Sequence, residues 1–297
     1  MTARAAAEYD ADLPLIVDAL RARGLTAEAV DWDAGDAEWE RFDLAVIRST
    51  WDYAERIADF LAWTDKAACG TRLRNPASVV RWNSDKRYLA ELAGHGVPVV
   101  PTRFLEPGGP CDEADFDLPG GVVVKPAVSA GSRDTARYEP GRTADALRHA
   151  RLLLDQDRTV MVQPYLRRVV EGERALVFVA GAFSHAIRKG PVLTEPGVID
   201  NLRVAHPGVT AHDPTEAELR TARAALAAVP GTEPLLFARV DLALDDAGEP
   251  VVMELELIEP NLFLAHNPQG LERFATAVAA LATEAGGTDG TGRAGGA

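Results

Sequence analysis

The sequence predicts an α/β unit at the N-terminus followed by a larger α+β body. Three observations carry this. Over residues 1–80, segments of helical period alternate with short apolar runs of strand length. In the last third, alternating runs come in pairs about Gly-containing turns, the mark of hairpins. The length of 297 residues suits roughly two domains. A chain of this size buries about three quarters of its unfolded surface, so its core needs no disulfide or metal staple. With 47% hydrophobic and 26% charged residues, the composition is that of a globular protein and argues against disorder.

In the first unit Asp12 is placed to cap a helix, with Pro14 in its first turn. Leu13, Ile16, Val17 and Leu20 recur at helical spacing, and Gly24 stops it. β-type segments follow at 27–32 and 44–47, then a helix over about 54–68. All five Trp (32, 39, 51, 63, 82) lie in this part or at its edge. Such a unit normally opens with a strand. None of full length precedes the first helix, so either the chain starts late or only a stub remains.

The chain leaves this unit near Asn75-Pro76. Ser84 is expected to cap a helix carrying Lys86, Leu89 and Leu92 that ends at Gly94 and Gly96. A Pro/Gly loop surrounds 107–110, and Val122-Val123-Val124-Lys125 reads as a buried strand. A helix over 144–154 precedes a strand over 159–163. Residues 174–180 and 182–188 form a hairpin about Gly181. Residues 190–212 lack periodicity and read as a long loop, often functional at that length. Asp213-Pro214 opens a helix to about 228, and 235–244 pairs with 249–257 in a second hairpin. Asn267-Pro268 caps the last helix, whose one face carries Leu271, Phe274, Val278 and Leu281; the Gly/Thr-rich tail 286–297 is expected to be mobile.

The formal net charge of -14 repels nucleic acid and anionic membranes, so neither is an expected partner. Cys69 and Cys111 lack metal-ligand spacing and read as free thiols in a reducing cytoplasm. No apolar run approaches the roughly 18 residues of a membrane span. The start, Met1-Thr2-Ala3-Arg4, turns acidic and is not a secretory signal. Only Lys66, Lys86, Lys125 and Lys189 are lysines; the other 27 basic residues are Arg. A Lys that persists in such a chain is either a chance survivor or a point charge that a guanidinium cannot replace, as at a phosphate.

Three constellations could carry chemistry. Arg239 and Asp241 share one face of a strand, as do Glu254 and Glu256 opposite, while Val240, Leu242, Leu255 and Leu257 face the core. Carboxylates this close either gather Mg²⁺, which suits oxygen-only ligands, or form a solvated acidic face. Second, Lys125 ends a strand before the small-residue loop 127–132, either a phosphate cradle or a surface loop. No Gly-x-x-x-x-Gly-Lys or Gly-x-Gly-x-x-Gly occurs. Third, the strand ending at Gln163 meets Pro164, which ends ladder bonding before Glu171-Gly172-Glu173. This crossover is either a nucleotide-reading hinge or a plain linker.

In order, the chain carries Lys86, Lys125 with its loop, Gln163-Pro164-Tyr165-Leu166, Glu171-Gly172-Glu173-Arg174, Ala186-Ile187-Arg188-Lys189, and Arg239-Val240-Asp241 followed by Glu254-Leu255-Glu256. The ordered set resembles the ATP-grasp superfamily, and within it the glutathione-synthetase-like branch, over about residues 1–285. The resemblance implies an ATP-grasp fold. A Rossmann-like pre-ATP-grasp domain (1–80) faces the substrate, a lid subdomain (81–163) and a C-terminal subdomain (164–285) clamp ATP, and 286–297 is a tail. It implies an enzyme that phosphorylates a substrate carboxylate and lets a nucleophile, commonly an amine, attack the acyl phosphate. Lys86 and Lys125 would neutralise the α- and β-phosphates, with Gly131 and Ser132 in the loop above them. Gln163, Tyr165 and Leu166 would form the adenine hinge, and Glu171 would take the ribose. Asp241, Glu254 and Glu256 would hold Mg²⁺; many relatives have Asn at the third position. Arg188 matches the arginine on the transferred phosphoryl group and joins Lys125 as catalytic. Arg174 and Asn201 would be substrate contacts.

Three further motifs, Ile47-Arg48-Ser49-Thr50-Trp51-Asp52-Tyr53, Trp82-Asn83-Ser84-Asp85-Lys86-Arg87-Tyr88 and Leu257-Ile258-Glu259-Pro260-Asn261-Leu262-Phe263, resemble an actinobacterial group within that branch that includes a cyclo-ligase. This implies that Thr50, Trp51 and Tyr53 face the substrate and that Asn261 adds a polar contact. The resemblance leaves open a ring-closing ligase, an intermolecular peptide or amide ligase, and a non-catalytic nucleotide sensor on the same fold. The expected partners are ATP, Mg²⁺, a small amino-acid-like substrate and a second copy of the chain in a homodimer, in the cytoplasm.

Overall fold

The structure, a computed structural model, describes residues 1–4, 6–199, 201 and 208–286. The tail beyond 286 and most of 200–207, part of the expected long loop, lie outside the described residues.

The N-terminal unit holds α1 (Asp12–Arg21), β1 (Leu44–Val46), α2 (Ile57–Gly70) and β2 (Arg72–Arg74), with β1 and β2 parallel. The missing first strand is a stub. Thr2 alone bridges to Asp31 and to Ser49, both in parallel. Residues 27–32 therefore do not form the expected strand, because their partner is one residue long. The unit's core is aromatic, with Trp32, Phe60 and Trp63 meeting at 5.4–5.9 Å. The α1 start also differs from expectation. Asp10, not Asp12, caps it, its Oδ1 accepting from the amides of Asp12 and Leu13 at 3.0 and 3.2 Å. Asp12 is buried and accepts instead from the amides of Leu262 and Ala265, across the chain.

Next come α3 (Ala77–Asn83), which the sequence reading did not place, and α4 (Tyr88–Gly94), which starts four residues later than the Ser84 start expected for it. Ser84 caps no N-terminus; it closes α3, its Oγ donating to the Arg81 carbonyl at 2.9 Å. Lys86 thus sits in the turn between two helices.

The unit expected to be the lid subdomain has β3 (Arg103–Leu105), β4 (Val122–Pro126), β5 (Ala136–Tyr138), α5 (Thr143–Leu154) and β6 (Val160–Pro164). Its antiparallel sheet runs β3-β6-β4-β5. Val122, Val124, Val160 and Val162 pack under Ala146, Leu147, Ala150 and Leu153 of α5. The other face of β4 carries Val123 and Lys125 toward the interior of the molecule.

The larger sheet runs β11-β10-β7-β8-β9, from β7 (Glu173–Val179), β8 (Ala182–Lys189), β9 (Thr210–Ala211), β10 (Phe237–Leu244) and β11 (Pro250–Glu256). Before β10, α6 (Glu216–Ala227) starts on the Thr215–Glu218 capping box; α7 (Pro268–Gly286) follows β11. Leu176, Phe178, Ala238, Val240 and Leu242 pack on α6 and α4. On the opposite face Val177, Val179 and Phe237 pack under α1 and α7. These helices cover only one end of that face. At the other end it carries Glu173, Lys189, Arg239, Asp241, Glu254 and Glu256 toward the lid sheet. Among the described residues no helix is long and apolar enough to cross a membrane.

Candidate active site

A cavity of about 670 Å³ lies between the two sheets and reaches the N-terminal unit. Two lysines enter from the lid side. Lys125 is delivered by β4 through strand alternation, since Val124 beside it points into the lid core. Lys86 is anchored by its amide to the Ala127 carbonyl. Its Nζ donates to the Ser129 carbonyl at 2.7 Å and lies 3.2 Å from Glu254 Oε1. Burial lowers the Lys125 pKa; Glu254 resists this and the Lys86 charge adds to it. Gly131 and Ser132, at φ +64° and +57°, form the loop beside them on the cavity wall.

Opposite, the β10–β11 register sets Arg239 across from Glu256 and Asp241 across from Glu254. Arg239 grips both oxygens of Asp241, at 2.8 and 2.9 Å, and pairs with Glu256. Lys189 Nζ donates to Asp241 at 2.6 Å and lies 2.9 Å from Glu173. Burial alone would raise the Asp241 pKa, but Arg239 and Lys189 hold it well below the usual carboxylate range. Glu254 is likewise lowered, Lys86 and Lys125 overcoming burial. Glu256 goes the other way, to about 7, because burial and its carboxylate neighbours outweigh Arg239. The three expected metal ligands share a face, as read from the sequence. They form no preset cage, however: among the described residues no group of three or more His, Cys, Asp or Glu has metal-holding geometry. Their oxygen-only chemistry and position on the cavity wall still suit Mg²⁺ brought by phosphates.

At the hinge, Gln163, Tyr165 and Leu166 line the cavity. Gln163 Nε2 donates to Thr102 Oγ1 at 2.7 Å, and the Arg137 guanidinium stacks on the Tyr165 ring at 4.8 Å. Glu171 does not line it. That side chain is exposed and bonded to Arg168 at 2.7 Å, and Glu173 faces the cavity instead.

Toward the N-terminal unit, Trp51, Tyr53 and Asn261 line the cavity. Thr50 does not; it is buried behind the wall, with no partner for its hydroxyl among the described residues. Asn201 also lines the cavity and ties down the lid loop, accepting from the Asp134 amide at 2.8 Å. The strap 191–199 hooks onto β5 beside it: the Gly197 amide donates to the Arg137 carbonyl at 2.7 Å, and Arg137 donates to Thr194 at 2.6 Å.

Arg174 and Arg188 are corrected outright. They face each other across β7 and β8 on the α6 side of the sheet, away from the cavity. Arg174 is buried against Glu218, 3.4 Å away, and Arg188 is exposed. Lys189, one residue on, takes the inward position, so a one-residue change of parity moves the expected cation to the other face. Lys189, Arg239, Glu173 and Glu259 are cavity residues to which the sequence reading gave no role. The clue was the spacing of Arg239 two residues before Asp241. No comparable clue exists on β8, because both faces of that sheet are largely apolar and alternation carries no signal.

Two sheets facing across a cavity, lysines on one side and carboxylates on the other, define an ATP-grasp ligase. The D-alanine–D-alanine ligase from Bacillus anthracis, solved complexed with ATP, shares this fold at a TM-score of 0.60 and 15% identity, covering 84% of this chain and 82% of its own. Ligases of this fold use ATP, generally with Mg²⁺. A family model described as the N-terminal domain of D-cycloserine synthetase DcsG matches residues 1–75. The cycloserine biosynthesis protein DcsG of Streptomyces lavendulae is 41% identical over 281 residues, 91% of this chain and 93% of that protein. A crystal structure of D-cycloserine synthetase DcsG superposes at a TM-score of 0.87 with 39% identity, covering 95% of this chain and 98% of that one. The chain belongs to the D-cycloserine synthetase family of ATP-dependent ligases.

Proposed function

We propose that the protein is a cytoplasmic ATP-dependent cyclo-ligase that converts O-ureido-D-serine to D-cycloserine. The observation that carries this is likeness at both ends of the site. The 41% identity runs through the nucleotide side, and the substrate-side unit matches its own family model.

Mg-ATP supplies the phosphoryl group that turns the substrate carboxylate into an acyl phosphate. Lys86 and Lys125 hold the phosphates beneath the Gly131–Ser132 loop, and Gln163, Tyr165 and Leu166 take the adenine. Asp241, Glu254 and Glu256 hold Mg²⁺. Lys189 and Arg239, already aimed at Asp241 inside the cavity, supply the cations for the moving phosphoryl group in place of Arg188. Trp51 and Tyr53 bound a small pocket that presses the substrate's own nitrogen onto its activated carbonyl. That positioning supplies roughly 7–11 kcal/mol of a barrier, so no strong general base is needed. Water then removes the carbamoyl group as CO₂ and NH₃.

Incubation with O-ureido-D-serine, ATP and Mg²⁺ should give ADP, phosphate, ammonia and D-cycloserine by mass spectrometry, with no second amino acid present. Product that forms only with an added amine would make the protein an intermolecular ligase. Nucleotide binding without turnover of any amino acid would make it a sensor.

A further inference from the structure

Among the described residues, every carboxylate lining the cavity but one has a cation in ion-pair contact. Asp241 and Glu173 share Lys189, Asp241 and Glu256 share Arg239, and Glu254 holds Lys86. Glu259 is the exception. It lines the cavity, yet among the described residues no Lys, Arg or His lies within ion-pair distance of it.

Its mount is rigid. The carbonyl of Glu259 accepts from Trp51 Nε1 at 3.0 Å, that of Pro260 from Arg48 Nη2 at 3.0 Å, and that of Asn261 from Arg239 Nη1 at 2.8 Å. The amides of Leu262 and Ala265 donate to the two oxygens of Asp12 at 3.0 and 3.1 Å. A carboxylate held this way beside a cavity, with no described cation in ion-pair contact, is a preformed receptor for a cation.

We propose that Glu259 binds the protonated α-amino group of the substrate and thereby restricts the enzyme to amino acids. This rests on the small amino-acid substrate proposed above. In such a molecule the amino group sits one carbon from the carboxylate to be phosphorylated, so its partner must stand next to the phosphoryl-transfer residues. Glu259 does: Glu256, Lys86 and Glu254 are the charges that act on it most. Burial, then Glu256, push the Glu259 carboxyl up to about 8 against the pull of Lys86. Tyr53 stands close by, its phenol raised by burial and next by Glu259, and its hydroxyl makes no hydrogen bond among the described residues.

The test compares O-ureido-D-serine with its α-hydroxy analogue, in which the ammonium is replaced by a hydroxyl. The wild-type protein should use the analogue with at least about tenfold lower kcat/KM, as expected for loss of a charged hydrogen bond. Glu259→Gln should lose about the same factor on the amino substrate and little on the analogue, with ATP affinity by calorimetry unchanged. Equal losses on both substrates would overturn the proposal. If Glu259→Gln fails to fold, Glu259→Asp carries the comparison, and an undiminished amino-over-hydroxy preference there is equally fatal. If the wild-type protein does not turn over O-ureido-D-serine, the functional reading fails instead. Stimulation of ATP hydrolysis by paired amino and hydroxy acids then makes the same comparison.

Discussion

Lys125 and Arg188 frame what single positions can test. If Lys125 holds phosphate, Lys125→Met should weaken ATP at least about tenfold by calorimetry while barely affecting the amino-acid substrate. Lys125→Arg should not rescue it, because a planar guanidinium does not fit where a compact ammonium sits. ATP affinity unchanged in both variants would end that assignment. Arg188 faces outward, so Arg188→Ala should keep kcat within about threefold, the usual range for an exposed charge. A loss of orders of magnitude would mean that β8 turns over during catalysis. The two residues also show what the sequence could and could not disclose. Lys125 was legible because it ends a short buried run beside small residues. Arg188 was misplaced because the partner faces of its sheet are both apolar, so nothing in the pattern said which neighbour points inward.

The lid helix α5 and the strap across the cavity behave differently. His149 is buried in α5 against Tyr138, with no well-formed hydrogen bond to either ring nitrogen among the described residues. Burial lowers its pKa from the ordinary 6.5. The unfolded chain therefore binds that proton more readily, so folding stability present above about pH 6.5 is lost as pH falls toward the lower folded value. His149→Phe should flatten the pH dependence of chemical denaturation between about 5 and 7; a wild-type slope would show that other groups set it. In the strap, amide exchange at Gly197 and through 129–133 should slow when ADP and Mg²⁺ bind, because closure must keep water from the acyl phosphate. Hairpins, α5 and the capped start of α7 were readable from periodicity and turn residues. The α3 helix and the place of Lys86 were not: Ser84 reads locally as the start of a helix, and Lys86 occupies the turn before α4 because its amide and ammonium bond into the lid.

The N-terminal unit and the last strand are joined by side chains that neither contributes alone. Asp12 is the main tie, from α1 to the segment after β11. Asp12→Ala would leave the buried Leu262 amide unsatisfied and take the acceptor from the part-buried Ala265 amide, and should cost about 1–3 kcal/mol of stability. The surviving fold should show a raised KM for the amino-acid substrate, by an amount set by how far Glu259 strays, and unaltered ATP affinity. Equal damage to both would mean that the tie supports the cavity as a unit. The order of motifs made the ATP-grasp architecture readable at a distance. The contact between residues 12 and 262 was not readable, because a buried aspartate near a helix start reads locally as a cap.

The pinned segment at 259–265 has a consequence for recombination. In the function proposed above, the nucleotide end of the cavity draws on lining residues between 86 and 256, whereas the amino-acid end combines residues 51 and 53 with 259 and 261. A chimera that imports residues 1–75 from a relative while keeping the local 257–266 would mismatch Trp51 and Arg48 with the carbonyls they hold. Retargeting such an enzyme to a new acid therefore calls for exchanging the two distant stretches as one cassette, leaving the ATP-handling middle of the chain as a constant chassis.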